Sequence, residues 1–331
     1  MSISHSRSSI LQFIHNKEVS FEDKALALFD YHMIHNPMYQ AFVSHLKYNE
    51  YSPETVREIP FFPISLFKDR QIKAGTWEEE KIFYSSGTTS QKRSQHYIRE
   101  VDLYLKNAKH IWTSHFEEVS HYHFISLLPS YHANPSSSLI SMVRDFMMQG
   151  RSQEERYHLD NFDVLKEELI SLDKQNIPTV LFGVAFALLD FIDIHQITFV
   201  NTPLIIETGG MKKYRKEVTR FELHESLRRG FNGAHIISEY GMTECLSQMY
   251  CLDGQYFSPN DRMDIVIMDP TDPRHPIGLG QRGRICIIDL MNIDTMPFIA
   301  TDDIGIKTSD GVEILGRMDA SEVRGCNYLI A

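Results

Sequence analysis

The sequence has no surplus of positive charge: 33 lysines and arginines face 44 aspartates and glutamates, a formal net charge of −11. Broad nucleic-acid surfaces need clustered cations to displace phosphate counterions, so no nucleic-acid partner is expected and any phosphate must be held locally. Long apolar runs are missing too. A bilayer crossing needs roughly 18 to 20 uninterrupted apolar residues, whereas the stretch Leu181 to Phe191 is short and bounded by Asp190 and Asp193. No transmembrane segment is expected, and the opening MSISHSRSSILQFIHNKEV lacks the apolar core of a secretory signal. Cysteine is scarce. The four present, Cys245, Cys251, Cys286 and Cys326, lack metal-finger spacing, which implies a reducing, cytoplasmic setting. Sixteen histidines are scattered without an HExxH pair, so surface and core imidazoles are expected in place of a metal centre built from them. The phosphate loop GxxxxGK[ST] is absent as well.

What is present is enough apolar material to fold. With 331 residues and 42% hydrophobic content, the chain can bury one large core or two smaller ones. Residues 8 to 48 carry apolar positions at helical spacing: Ile10, Phe13, Ile14, then Ala25, Leu28, Phe29, then Tyr39, Phe42, Val43, Leu46. This predicts a helical lead-in. The prolines of 59-IPFFPI-64 forbid a helix there and predict an extended segment. From Lys81 to Tyr250, short apolar runs (123-HFISLLP-129, 179-TVLFGVA-185, 203-PLIIETGG-210) alternate with amphipathic stretches such as 160-DNFDVLKEELISLDKQ-175. Alternating strands and helices imply βαβ units and a largely parallel sheet. Near the end, 263-MDIVIMDP-270 and 283-GRICIIDL-290 flank the Pro/Gly-rich 273-PRHPIGLGQ-281, which predicts a smaller β-rich subdomain. The expected division is 1–80 helical lead-in, 81–260 α/β core and 261–331 β-rich subdomain with a C-terminal tail.

Two segments carry the chemistry. In 84-YSSGTTSQKRSQH-96, Ser85, Ser86, Gly87, Thr88 and Thr89 follow the short run 81-KIFY-84, with Lys92 and Arg93 behind them. Hydroxyl and amide donors on a flexible turn can wrap phosphate oxygens, although serine, threonine and glycine also dominate ordinary turns. In 238-SEYGMTECLS-247, a tyrosine, a glycine, a hydroxyl and a carboxylate stand in a row; Thr243 could meet a phosphate and Glu244 a divalent cation, which prefers hard oxygen ligands.

The order of 85-SSGTTS-90, 207-ETGG-210, 239-EYGMTE-244, 301-TDD-303 and 316-GRMD-319 resembles the adenylate-forming superfamily of acyl-CoA synthetases, luciferases and peptide-synthetase adenylation domains. The lead-in 62-FPISLFKDR-70 and 127-LLPSYHANPSSSLI-140 narrow the resemblance to LuxE-type acyl-protein synthetases. The resemblance implies an α/β fold like the N-terminal domain of those enzymes, with a helical lead-in, largely parallel sheets flanked by helices, a small β-rich C-terminal subdomain and no mobile lid domain. It implies ATP and Mg²⁺ as cofactors, and ATP-dependent activation of a carboxylic, fatty acid to acyl-AMP with transfer of the acyl group to a thiol.

By resemblance, Ser85, Ser86, Gly87, Thr88 and Thr89 line the triphosphate, Gly209 and Gly210 lie under adenine, and Tyr240 with Gly241 packs on the base. Thr243 reaches the α-phosphate, Glu244 holds Mg²⁺, Asp303 accepts from the ribose hydroxyls, and Arg317 approaches ribose and phosphates. Lys92 or Arg93 supplies a further cation, and His132 lines the acyl site or assists the thiol. Cys326 is the implied acyl acceptor, with Arg324 two residues away able to lower its pKa; the other three cysteines sit in apolar, strand-like contexts. The alternatives are an external acceptor, coenzyme A or an acyl carrier protein, or a non-catalytic module that binds nucleotide or acyl-adenylate. An acyl donor protein and a reductase are the partners the resemblance implies. Some positions depart from the pattern. Ser90 replaces a common glycine, Lys92-Arg93 stands where Pro-Lys is usual, and Asp302 replaces the glycine of TGD. Only 12 residues follow Asp319, so the catalytic lysine of the family's lid has no counterpart.

Overall fold

The computed structural model describes residues 6–46, 52–86, 92–209 and 218–318. In chain order the elements are α1 (Arg7–His15), α2 (Phe21–His35), α3 (Pro37–His45), β1 (Phe62–Pro63), β2 (Lys81–Tyr84), β3 (Gln95–Ile98), α4 (Val101–His115), β4 (His123–Leu127), α5 (Ser138–Gln149), α6 (Phe162–Lys174), β5 (Thr179–Val184), α7 (Ala185–Ile194), β6 (Ile197–Thr198), β7 (Leu204–Thr208), α8 (Arg220–Gly230), β8 (Phe231–Asn232), β9 (His235–Tyr240), β10 (Met249–Cys251), β11 (Met263–Met268), β12 (Arg282–Asp289), β13 (Phe298–Lys307) and β14 (Val312–Arg317). The chain forms two compact units: one holds 1–104, 243–247 and 258–331, the other 105–242 and 248–257.

The first unit is built on a five-stranded sheet ordered β1-β13-β12-β11, with β14 also on β13. Its hairpins are antiparallel, as the apolar runs flanking the Pro/Gly-rich stretch predict, but β1 joins parallel, Phe62 opposite Ile299 and Pro63 opposite Ala300. The long strand β13 thus serves β1 at its start and β14 at its end, where Asp303 faces Arg317. The helical lead-in forms because each helix is capped: Ser6, Ser20 and Asn36 side chains accept from the third N–H beyond them. Side chains bind it to the segment after β12. Arg7 grips Asp294 with two bonds of 2.7 Å, and the buried Asn36 amide donates to the Thr295 carbonyl at 2.7 Å. Bidentate guanidinium–carboxylate pairing fixes geometry as well as distance.

The second unit contains the parallel sheet β4-β5-β7-β9, closed at one side by the antiparallel β10. Both faces are covered, which is why its strands read as nearly continuous apolar runs. On one face Ile125, Leu127, Leu181, Ile205 and Ile236 pack with Leu165 and Leu169 of α6, Leu188 of α7 and Leu227 of α8. On the other, Trp112 of α4 and Phe146 of α5 make ring contacts with Phe124 and Phe182 at centroid distances of 5.3 to 6.4 Å. Strand periodicity sends Phe124 and Ile125 to opposite faces. No loop separates β5 from α7, and Gly183 makes the junction possible: a Cβ there would fall 2.7 Å from the Leu188 side chain. The fold is therefore the α/β architecture the sequence implies, with a smaller β-rich part. Among the described residues no helix is long and apolar enough to cross a membrane.

Candidate functional site

In the second unit the candidate residues follow the carboxyl ends of the parallel strands. His132 lies in an exposed turn after β4, Gly209 immediately after β7, and Tyr240 and Gly241 at the end of β9. Ligands of open α/β sheets bind outside these carboxyl ends. The space over Gly209 is open, since nothing lies within 4 Å of a Cβ built there. The Tyr240 ring stands 5.8 Å from that of Phe257, which in turn carries the Arg220 guanidinium at 4.5 Å.

Beneath these ends sits a group the sequence reading gave no role. Glu239 is buried, accepts a 2.6 Å bond from the Thr208 hydroxyl on the neighbouring strand, and lies near Glu207. Burial raises its pKa, the Thr208 bond opposes this and the Glu207 charge adds to it, leaving the carboxyl at about 7. Its Oε1 would be 2.5 Å from a Cβ at Gly241. Glycine there lets the backbone of the turn lie directly against the carboxyl. His224 completes the layer, with Nε2 at 2.8 Å from the Ser238 hydroxyl and 3.6 Å from Glu207.

In the first unit the serine- and threonine-rich segment connects β2 to β3, which pair antiparallel from Lys81–Ile98 to Tyr84–Gln95. Its ends are stapled: Ser85 N–H donates to the Ser94 carbonyl at 3.1 Å, and Ser94 N–H to the Ser85 hydroxyl at 2.9 Å. Arg93 donates to the carbonyls of Tyr84 and Ser85 and lies over the Tyr84 ring. Lys92 makes a 2.7 Å surface ion pair with Asp69. Both side chains thus serve the base of the loop. Gly87, Thr88 and Thr89 lie outside the described residues, as do Gly210 and Cys326.

The end of the EYGMTE segment and the three residues after it, 243–247, belong to the first unit. They are held by a polar frame. His96, fully buried on β3, has Nδ1 at 2.7 Å from the Thr243 carbonyl and Nε2 at 2.8 Å from the Thr295 hydroxyl. A carbonyl can only accept, so Nδ1 donates to Thr243, while Nε2 faces the Thr295 hydroxyl and Asn292 Oδ1, which are themselves hydrogen-bonded to each other. Burial pushes the pKa of His96 down to about 4, although the bonds to Thr243 and Asn292 oppose the shift, so the ring is neutral at pH 7. Asn292 donates to the Glu244 carbonyl at 2.7 Å. Asp289 accepts from Leu246 N–H (2.7 Å), Ser247 N–H (3.0 Å) and the Ser247 hydroxyl (2.6 Å). These bonds fix the backbone on both sides of the buried Glu244 side chain. In the same unit Asp303 and Arg317, ladder partners on β13 and β14, bring Oδ1 and Nε to 3.6 Å, with Arg317 largely exposed and Asp303 not. An acceptor and a cation side by side suit a hydroxylated, phosphorylated ligand.

The three described cysteines are all buried. Burial raises the thiol pKa of each: Cys251 reaches about 12, and Cys245 and Cys286 are likewise pushed upward. A thiol held protonated and enclosed is a poor nucleophile, which disfavours all three as acyl acceptors. Among the described residues no cluster of three histidine, cysteine or acidic side chains could hold a metal ion. Mg²⁺ at phosphate commonly takes oxygens from its substrate and water beside one or two carboxylates.

No protein-family model matches the sequence, and no curated protein matches it significantly. Solved structures do match. The 2-hydroxyisobutyryl-CoA ligase in its postadenylation state superposes with a TM-score of 0.59 at 12% identity, over 90% of this chain and 68% of that one. ATP-bound MatB from Rhodopseudomonas palustris gives 0.52 at 17% identity, over 75% of this chain and 49% of its own. O-succinylbenzoate coenzyme A synthetase (MenE) from Bacillus subtilis, in complex with ATP and magnesium ion, gives 0.50 at 18% identity, over 71% and 49%. The chain spans about half the length of the last two. Its fold is that of the adenylate-forming enzymes.

Proposed function

We propose that the chain uses ATP and Mg²⁺ to convert a carboxylic acid to its acyl-adenylate and then passes the acyl group to an external thiol such as coenzyme A. The observation that carries this reading is the likeness, over 90% of the chain, to a CoA ligase in its postadenylation state. The order of the five motifs supports it independently. Ser85, Ser86, Gly87, Thr88 and Thr89 cradle the triphosphate, helped by Thr243 and Arg317. Gly209, Gly210, Tyr240 and Gly241 form the base site, and Asp303 takes the ribose hydroxyls. Mg²⁺ at Glu244 supplies neutralisation of phosphate charge. The chain's own share is to hold these donors in place before charge develops, which is where preorganised sites gain most. The frame of His96, Asn292 and Asp289 does this for 243–247.

A narrower reading keeps the adenylate and makes Cys326 the acceptor with a fatty acid as substrate, as in LuxE-type acyl-protein synthetases. Burial of Cys245, Cys251 and Cys286 favours it over any other self-acylation, because it leaves Cys326 as the remaining thiol. Incubation with ATP, Mg²⁺ and radiolabelled fatty acid separates the two. Release of acyl-CoA on adding coenzyme A, with no label on the chain, supports the external acceptor. Label on the wild type that disappears in Cys326→Ser supports the narrower reading.

A further inference from the structure

Lys24 and Arg262, both in the first unit, are each only 6% exposed, and their charges oppose one another. Lys24 closes the first turn of α2, and Arg262 directly precedes β11. Charged side chains are almost never buried without a partner. Among the described residues the two cations share the carboxylate of Asp261, so two buried positive charges stand against one half-exposed negative charge. The acids next to Lys24 face elsewhere: Glu22 accepts from the Val56 N–H at 3.0 Å, and Asp23 from the Ser20 hydroxyl at 2.6 Å. The half-exposed Asp261 carboxylate comes to 3.5 Å of Arg262 Nε without forming a hydrogen bond to it. The other contacts of the guanidinium are long, Nη1 to the Ile14 carbonyl at 3.5 Å and to Met291 Sδ at 3.7 Å. Arg262 Nε is buried and has no hydrogen-bond partner. The N-terminal end of α2 adds partial positive charge near Lys24.

We propose that Lys24 and Arg262 form a binding site for a phosphate-class oxyanion, separate from the nucleotide-binding residues proposed above. The guanidinium edge offers Nε and an adjacent Nη in fixed geometry for two oxygens, and the Lys24 ammonium can meet a third as a point charge. A bound dianion would satisfy the orphaned Nε and replace repulsion between the two cations with attraction of each to the ligand. The inference does not depend on the chain being an adenylate-forming enzyme.

Thermal unfolding of the full chain in sodium phosphate, against sodium chloride at equal ionic strength, tests the site. Phosphate is expected to raise the Tm of the wild type by about 3 °C at ten times its dissociation constant. Lys24→Met and Arg262→Lys should each abolish this increment, the second because it keeps a charge but loses Nε. Lys24→Met should also unfold at a higher temperature than the wild type in chloride, since it removes the repulsion. Thr88→Val, in the loop assigned to the triphosphate, should retain the full phosphate increment. The proposal is overturned if phosphate does no more than chloride for the wild type, if it stabilises both substituted chains equally well, or if Thr88→Val alone loses the effect.

Discussion

Glu168 and Glu239 are two glutamates of the same unit whose surroundings drive them apart. Around Glu168 on α6, burial would raise the pKa, but the hydrogen bond from His123, the close His158 imidazole and the charge of Arg156 outweigh it and hold the carboxylate at about 2. His158 Nε2 stands 2.7 Å from one oxygen, and His123 Nε2 stands 3.3 Å from the other. Glu239 has a single hydroxyl and a neighbouring carboxylate, so burial prevails and its pKa rises to about 7. The partners, not the residue type, decide the charge state. The location matters as well. His123 opens β4, whereas Glu239 lies near the carboxyl end of β9, under the turn assigned to the adenine base. A group poised near neutrality beside a proposed ligand site is the more telling of the two.

The largest expected effect is at Glu168. Glu168→Ala leaves His123, His158 and Arg156 without the carboxylate they surround and should cost roughly 3 kcal/mol at pH 7, measured by urea unfolding. Because the folded pKa lies below the ordinary value of 4.5, this contribution is present above about pH 4.5 and fades as the pH falls towards 2. Glu168→Gln should therefore flatten the acid limb of the stability profile. A profile that keeps the wild-type acid limb would break the comparison.

Glu239 should behave with the opposite sign. Its folded pKa is raised from 4.5 to about 7, so its contribution is intact below about pH 4.5 and is lost as the pH rises through 7. Glu239→Gln removes that loss and should gain roughly 2 kcal/mol on the wild type between pH 5 and pH 8. A constant difference across this range would show that Glu239 does not titrate there. A smaller effect is expected at Thr208→Val, which deletes the hydroxyl that donates to Glu239 without changing side-chain size. It should cost about 1 kcal/mol and shift the neutral limb to higher pH.

The same contrast explains what was legible in the sequence. The run 81-KIFY-84 is β2 to the residue, 160-DNFDVLKEELISLDKQ-175 holds α6, and the last two apolar runs are β11 and most of β12. Those signals are local periodicities, and they survive folding because each element buries one face. The frame around 243–247 left no such trace. It joins His96, Asp289, Asn292 and Thr295, up to 199 positions apart along the chain, through side-chain bonds that exist only after the first unit has closed. Glu239 was visible as a letter in EYGMTE, but its burial depends on β9 lying between β7 and β10. The parallel entry of β1 beside β13 was likewise invisible, because an extended proline-bounded segment does not reveal its pairing partner.

The central claim is that these residues activate a carboxylic acid with ATP. Exchange of labelled pyrophosphate into ATP, measured across acids of increasing chain length, tests it most directly. The account predicts exchange that requires both Mg²⁺ and an acid, and that falls by on the order of 10² in Glu244→Gln. A chain that binds ATP yet supports no exchange with any acid would contradict it.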